Sequence, residues 1–178
     1  MWNIAEIRTT PSLELFSELV GLLQDAVKSG ASVGFLAPLS TADARNFWMA
    51  ALSEVARGDR VVLLARDGVS IIGCAQLLLT TRATARHRAE IQKLIVHTQW
   101  QGKGLGRALL DAIETAASDK GRTLLLADAR EGGYGDRLFS RSGYSRVGVI
   151  PRYQRGSDGH FDSTVIFYRN LDGRAAAM

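Results

Sequence analysis

Apolar positions in this chain change period part-way along, and that change divides it. After a short extended run from Trp2 to Arg8 and a break at Pro11, Leu15/Phe16, Leu19/Val20, Leu22/Leu23 and Ala26/Val27 recur every three to four residues. That spacing predicts an amphipathic helix closed by Gly30. Ala31 to Leu36 is an apolar loop. Ser40, Thr41 and Asp43 then supply N-cap chemistry for a second helix carrying Ala44, Phe47/Trp48, Ala51/Leu52 and Val55, which ends near Gly58. From Arg60 the pattern turns to β-rich runs, Arg60 to Arg66 and Ser70 to Thr81, joined by the turn pair Asp67-Gly68. The basic segment Arg82 to Arg88 turns the chain again before a strand from Ala89 to His97, so these three strands read as an antiparallel meander.

Beyond a glycine-rich turn, Leu105, Leu109/Leu110, Ile113 and Ala116/Ala117 mark a third helix that stops at Gly121, and Thr123 to Asp128 is a continuous apolar strand ending at Asp128. Strand, helix and strand in this order predict one parallel βαβ unit. Tyr134 to Ser142 fits a short helix; Tyr144 to Ile150 and Phe161 to Asn170 fit two closing strands, joined by a polar loop from Arg152 to His160. The expected architecture is α+β in layers: a mixed, mostly antiparallel sheet of about seven strands flanked by about four helices.

Composition narrows the classes. The chain has 178 residues, 46% of them hydrophobic and 22% charged, with no repeat or linker, which predicts one domain over 1–178. Twenty-two Lys and Arg against 18 Asp and Glu leave a formal charge of +4, spread rather than gathered into a basic block. With no aromatic-plus-basic strand pattern, this predicts no nucleic-acid partner. The single cysteine, Cys74, excludes an internal disulfide and a Cys-rich zinc site and suggests a reducing compartment. His87, His97 and His160 are isolated, so no metal is expected. The start Met1-Trp2-Asn3-Ile4-Ala5-Glu6 does not read as a signal peptide, and no apolar run suits a membrane span; a cytoplasmic protein without a membrane partner is the expectation.

The chemistry concentrates in Gln101-Gly102-Lys103-Gly104-Leu105-Gly106-Arg107, between a strand and a helix. Three glycines in five residues let backbone N–H groups converge on an anion, aided by the helix dipole and by Lys103 and Arg107, so a phosphate or pyrophosphate is the expected guest. No Gly-Lys-Ser/Thr exists for a P-loop. The dinucleotide pattern G-x-G-x-x-G meets Arg107 or Leu109 where its third glycine belongs, yet Asp128, about 20 residues on, keeps that reading open as a runner-up.

Gln101-x-x-Gly104-x-Gly106, after the strand Glu90-Ile91-Gln92-Lys93-Leu94-Ile95-Val96, resembles the acyl-coenzyme A signature of the GNAT superfamily of N-acetyltransferases. The order of elements matches that fold from about residue 2 to 171. The resemblance implies acetyl-CoA as acyl donor, with Leu94, Ile95 and Val96 meeting the pantetheine and thioester through their backbone and Gln101 to Arg107 binding the pyrophosphate. The segments Gly30 to Phe35, Arg88 to Leu94, Leu126-Ala127-Asp128 and Arg146-Val147-Gly148 are similar to members of the family that acetylate a β-lactam dipeptide toxin, and there a Glu and an Asp at the positions of Glu90 and Asp128 act on the amine. The resemblance nominates the primary amine of a small molecule, a β-lactam dipeptide or another amino-acid-like amine, and leaves protein N-termini and polyamines open; a homodimer is a further implied possibility.

The reaction itself asks for such a pair. An alkylamine attacks a thioester only when neutral, and a free one has a pKa near ~10, so a carboxylate or a carboxylate-held water must remove a proton. The tetrahedral intermediate carries an oxyanion, for which the backbone N–H of Leu94 is the candidate donor. Many relatives place a Tyr on the short helix to protonate the departing thiolate; here Phe139 holds that position, with Ser140, Tyr134 or a water as substitutes. Phe139 also keeps a second class in view: a non-catalytic acyl-CoA-binding sensor or scaffold.

Overall fold

The computed structural model describes residues 2–9 and 11–171. The remaining positions of the expected 1–178 domain lie outside the described residues. Strand β1 (Asn3–Glu6) precedes helices α1 (Leu13–Lys28) and α2 (Thr41–Arg57). Strands β2 (Arg60–Asp67), β3 (Ser70–Leu79) and β4 (Arg88–Val96) lead to α3 (Leu105–Asp119), β5 (Leu124–Arg130) and α4 (Tyr134–Arg141). The hairpin β6 (Ser145–Arg155) and β7 (Phe161–Asn170) closes the order.

Local chemistry accounts for the helices. Ser12 caps α1 by accepting from the Leu15 N–H at 3.2 Å, and Ser40 caps α2 by accepting from the Asp43 N–H at 3.0 Å. Gly58, at φ +77°, closes α2 in the left-handed conformation that favours glycine. The predicted stripes are the buried faces: Leu19, Leu22, Leu23 and Ala26 of α1, and Ala44, Trp48 and Ala51 of α2. Trp48 is wholly buried, and its indole N–H donates to the Leu19 carbonyl at 2.8 Å, so α2 is locked onto α1.

One seven-stranded sheet runs in the order β1-β2-β3-β4-β5-β7-β6. Only β4 and β5 pair parallel, through the α3 crossover; every other neighbour is antiparallel, as the meander and the βαβ unit predict. Strand alternation divides the core in two. Leu63, Ala75, Leu77, Ile91, Leu125 and Phe167 pack under α3 with Leu109 and Ile113. Val62, Leu64, Cys74 and Ile95 pack under α1 and α2.

Two expected boundaries are corrected. Residues Arg152–Arg155 are strand rather than loop, since β6 continues past Pro151 and pairs with β7 at Gln154↔Asp162 and Arg155↔Phe161. β6 is the sheet edge, where a proline's missing N–H costs no ladder bond, so Pro151 does not end it. Asp128 likewise does not end its strand: pairing with β7 carries β5 on to Arg130↔Thr164.

Candidate active site

The register of β4 and β5 brings the two sequence-nominated carboxylates onto one face. Glu90 lies opposite Leu126 in the parallel ladder. Ala89, Ile91, Leu125 and Ala127 point into the α3-side core, so Glu90, Leu126 and Asp128 share the opposite face, toward α1 and α2. The ladder ends at Ile91↔Ala127. Beyond it the strands splay, and the β5-facing backbone of β4 from Gln92 to Val96 has no strand partner.

A bulge lies at the same place. Cys74 pairs with Ile95 and Gln76 with Gln92, so β4 carries one more residue than β3 across this interval. Lys93 absorbs it at φ +47°, unusual for a residue with a side chain. The inserted residue breaks the alternation: Gln92 and Lys93 both project on the Glu90 face, while Leu94 and Val96 return to the α3-side core and Ile95 to the other. This is the backbone that the resemblance assigns to the thioester.

A polar row supports Glu90. The Gln92 amide donates to Glu90 Oε1 at 2.9 Å and accepts from Arg60 Nη1 at 3.0 Å. Arg60 donates as well to Gln76 Oε1 at 2.7 Å and to Glu54 Oε2 at 2.6 Å. Because a guanidinium has only donors, it fixes which end of the Gln92 amide faces it and so aims the NH2 at Glu90. Burial first and the Glu90 charge second push the Asp128 pKa above the usual carboxylate range, opposed by Lys93. Burial, followed by the Arg60 charge, holds the Lys93 ammonium below the usual lysine range, against the pull of Asp128, Cys74 and Glu90. Cys74 is fully buried with its thiol pushed up to about 12, which makes it a core residue rather than a nucleophile. The described residues contain no cluster of His, Cys, Asp and Glu suited to a metal ion.

On the other side of the splay stands the glycine loop. Asp25 of α1 accepts from both the N–H and the hydroxyl of Thr98 at 2.9 Å, anchoring the turn that leads into it. Gly102 at φ +73° and Gly104 at φ +85° take conformations that side chains resist. Gly104 begins α3 without a side-chain cap, so the first-turn N–H groups stay free for a phosphate. The loop and the unpaired edge of β4 therefore fit the two parts of coenzyme A that need them. Lys103 stacks over the Trp100 ring at 4.8 Å, and Trp100 meets Trp2 edge-on. The Arg107 guanidinium is engaged with Asp111 at 2.8 Å and Ser142 at 3.3 Å and runs along α3.

Phe139 is 4% exposed and packs against Tyr144 and Phe167, so no proton donor stands at this position. Of the substitutes, Tyr134 is largely exposed with Arg137 on its ring, and the Ser140 hydroxyl donates to Asp136. Two distant segments meet: Ser32 hydrogen-bonds Gln154 at 2.5 Å, and the Ala37 N–H donates to Ser157 at 2.7 Å. The loop after α1 is thereby tied to the β6–β7 hairpin.

The family model of the acetyltransferase (GNAT) domain matches residues 58–146, half of the chain, spanning the bulge, the splay and the glycine loop. The chain belongs to the GNAT acetyltransferase family. Its members transfer an acetyl group from acetyl-CoA, and this chain is an acetyl-CoA-dependent acetyltransferase. The fold agrees with solved structures. An N-acetyltransferase from Staphylococcus aureus Mu50 superposes with TM-score 0.76 at 16% identity, over 95% of this chain and 99% of that one. yncA from Salmonella typhimurium, solved with its cofactor acetyl-CoA, gives 0.76 at 20%, over 99% and 98%. A ribosomal-protein-alanine N-acetyltransferase from Brucella melitensis gives 0.77 at 20%, over 94% and 99%.

Sequence reasoning did not single out Lys93, Gln92 and Arg60, which the structure brings onto the face of Glu90. One signal was available: Ala89 to Gln92 alternates apolar and polar, and polar Lys93 directly after polar Gln92 breaks the period of two, as an inserted bulge residue does.

Proposed function

We propose that this chain, as one domain, acetylates the primary amine of a small, amino-acid-like molecule, with Glu90 and Asp128 taking the amine's proton. The observation that carries this reading is their common face beside the β4–β5 splay. Bound there, acetyl-CoA supplies the acyl group as a thioester. Leu94, Ile95 and Val96 would hold the pantetheine by their backbone, with the Leu94 N–H on the carbonyl oxygen. Gln101, Gly102, Lys103, Gly104, Leu105 and Gly106 would hold the pyrophosphate, with Arg107 contributing charge from its place on α3. A carboxyl raised above its usual range, as Asp128 is, is a better proton acceptor at neutral pH than a free one.

Local similarity to the tabtoxin resistance acetyltransferase, in Arg88 to Leu94 and Leu126 to Asp128, supports a β-lactam dipeptide or related amino acid as acceptor. With Phe139 in place of a proton donor, the departing thiolate, a tolerable leaving group near neutral pH, takes its proton from water. A thiol-release assay with acetyl-CoA over amino acids, dipeptides, polyamines, aminoglycosides and peptide N-termini tests the acceptor. Amine-dependent thiol release is expected for amino-acid-like acceptors; release confined to polyamines, aminoglycosides or peptide N-termini would overturn that acceptor class.

We further propose a cytoplasmic setting and a homodimer through edge strand β6, whose Val147, Val149, Ile150 and Tyr153 are exposed. No helix among the described residues is long and apolar enough to cross a membrane. Sedimentation equilibrium should give a dimer that Val149→Lys dissociates; a monomeric wild type at tens of micromolar overturns the dimer.

A further inference from the structure

The bulge does more than open a strand: it places a lysine on the face of the two carboxylates. Lys93 is forced onto the face of Glu90 and Asp128 by the inserted residue, at the cost of a left-handed φ. Its ammonium lies 5.5 Å from the centre of the Phe47 ring and 6.0 Å from that of Phe35. The loop after α1 closes over it, since a Cβ at Gly34 would stand 3.5 Å from Nζ. Among the described residues Nζ makes no hydrogen bond and no ion pair, although Glu90 and Asp128 act on it electrostatically from farther off. Two aromatic faces offset only part of the cost of withdrawing an ammonium from water, so donors remain for an anion.

The neighbouring cation does not offer the same. Arg60 is already committed to Glu54, Gln76 and Gln92. This face is therefore dipolar, with a free ammonium at the bulge and two carboxylates farther along it. A molecule that carries both an ammonium and a carboxylate, as an amino acid does, matches that polarity.

We propose that Lys93 binds the carboxylate of the acceptor and thereby selects α-amino acids over amines that lack a carboxylate. This deepens the acetyl-transfer reading and rests on it. The pairing acts on reactivity too. An acceptor's carboxylate favours the protonated form of its own amine; once Lys93 neutralises that carboxylate, the amine gives its proton to Glu90 or Asp128 more readily. Lys93 touches the acceptor and not the thioester, so its mark is selectivity.

The test compares L-alanine, L-methionine and L-glutamine with their α-amides as acceptors at saturating acetyl-CoA, in the wild type and in Lys93→Met, Lys93→Gln and Lys93→Arg. Coenzyme A affinity and thermal midpoint are measured on each protein. A charge-assisted hydrogen bond is worth roughly 10- to 100-fold in affinity. The wild type should therefore favour the preferred acid over its amide by at least about tenfold in kcat/KM. The ratio should collapse to within about threefold in Lys93→Met and Lys93→Gln and persist in Lys93→Arg. Equal use of acid and amide by the wild type overturns the proposal, as does a preference that survives in whichever neutral variant still binds coenzyme A. If coenzyme A binds yet no acceptor releases thiol, acetyl transfer to these amines is what fails. Calorimetric titration of the same amino acids into the coenzyme-loaded protein then decides the carboxylate site: Lys93-dependent binding supports it, and its absence overturns it.

Discussion

Glu90→Gln and Asp128→Asn are each expected to lower kcat at saturating acetyl-CoA by about 10²- to 10⁴-fold, the range for loss of a positioned proton acceptor. Both substitutions keep shape and remove the ability to hold a proton. Gln92 donates to Glu90 at 2.9 Å, and burial beside Glu90 raises Asp128, so the first carboxylate is oriented and the second is tuned. A base must be ionised to act, so the rate falls as pH drops through the raised Asp128 pKa, and that limb should vanish in Asp128→Asn. The linkage to stability runs the other way. A carboxyl whose folded pKa lies above its unfolded one favours folding most when protonated, and loses that contribution as pH rises through the folded value. Asp128→Asn should therefore lose rate without losing thermal stability at neutral pH. Steady-state kinetics across pH, with melting curves, check both statements; an unchanged kcat in both variants sinks the carboxylate assignment.

Gly73→Ala should damage fold and site together. Gly73 pairs with Ala65 on one side and with Val96, at the end of β4, on the other. A Cβ there would stand 2.8 Å from the Ile95 carbonyl oxygen and 3.0 Å from Leu109 Cδ1. Neither neighbour can give way freely, one being backbone next to the bulge and the other the centre of the α3-side core. Overpacking of this kind costs roughly 1–3 kcal/mol, and the movement of Ile95 that relieves it displaces the strand edge proposed for the pantetheine. A lower melting temperature and a KM for acetyl-CoA raised several-fold are expected. Gly21→Ala is the contrast: Gly21 lies inside α1 with nothing within 4 Å of the added methyl. It should stabilise by about 0.5–1 kcal/mol with kinetics as in the wild type. Melting temperature and acetyl-CoA titration of the two variants settle the matter; wild-type values for Gly73→Ala would remove the link between this contact and the coenzyme site.

What could be read in advance follows the range of the interactions involved. The helices were legible because their determinants are local: Ser12 and Ser40 cap within three residues, and the stripes of α1, α2 and α3 repeat every turn. The glycine loop was legible for the same reason, since conformational freedom and a helix start belong to adjacent residues. The true length of β6 was hidden, because a proline is tolerated or excluded according to whether its strand lies at an edge, and strand order is a property of the whole sheet.

The site divides along the same line. By itself the sequence determined which residues could do the chemistry: the carboxylates Glu90 and Asp128 and the backbone-rich Gln101 to Arg107, while the doublet Gln92-Lys93 went unread. Only the tertiary structure decided that Glu90 and Asp128 share a face, because that depends on the parallel register of β4 against β5 across the α3 crossover. It also turned Arg107 toward Asp111 and Ser142, committed Arg60 to three partners, and left Lys93 between Phe35 and Phe47 with its donors unspent. The physical reason is the same in each case: side-chain type is written locally, whereas the partner that consumes or spares a charge comes from a segment tens of residues away.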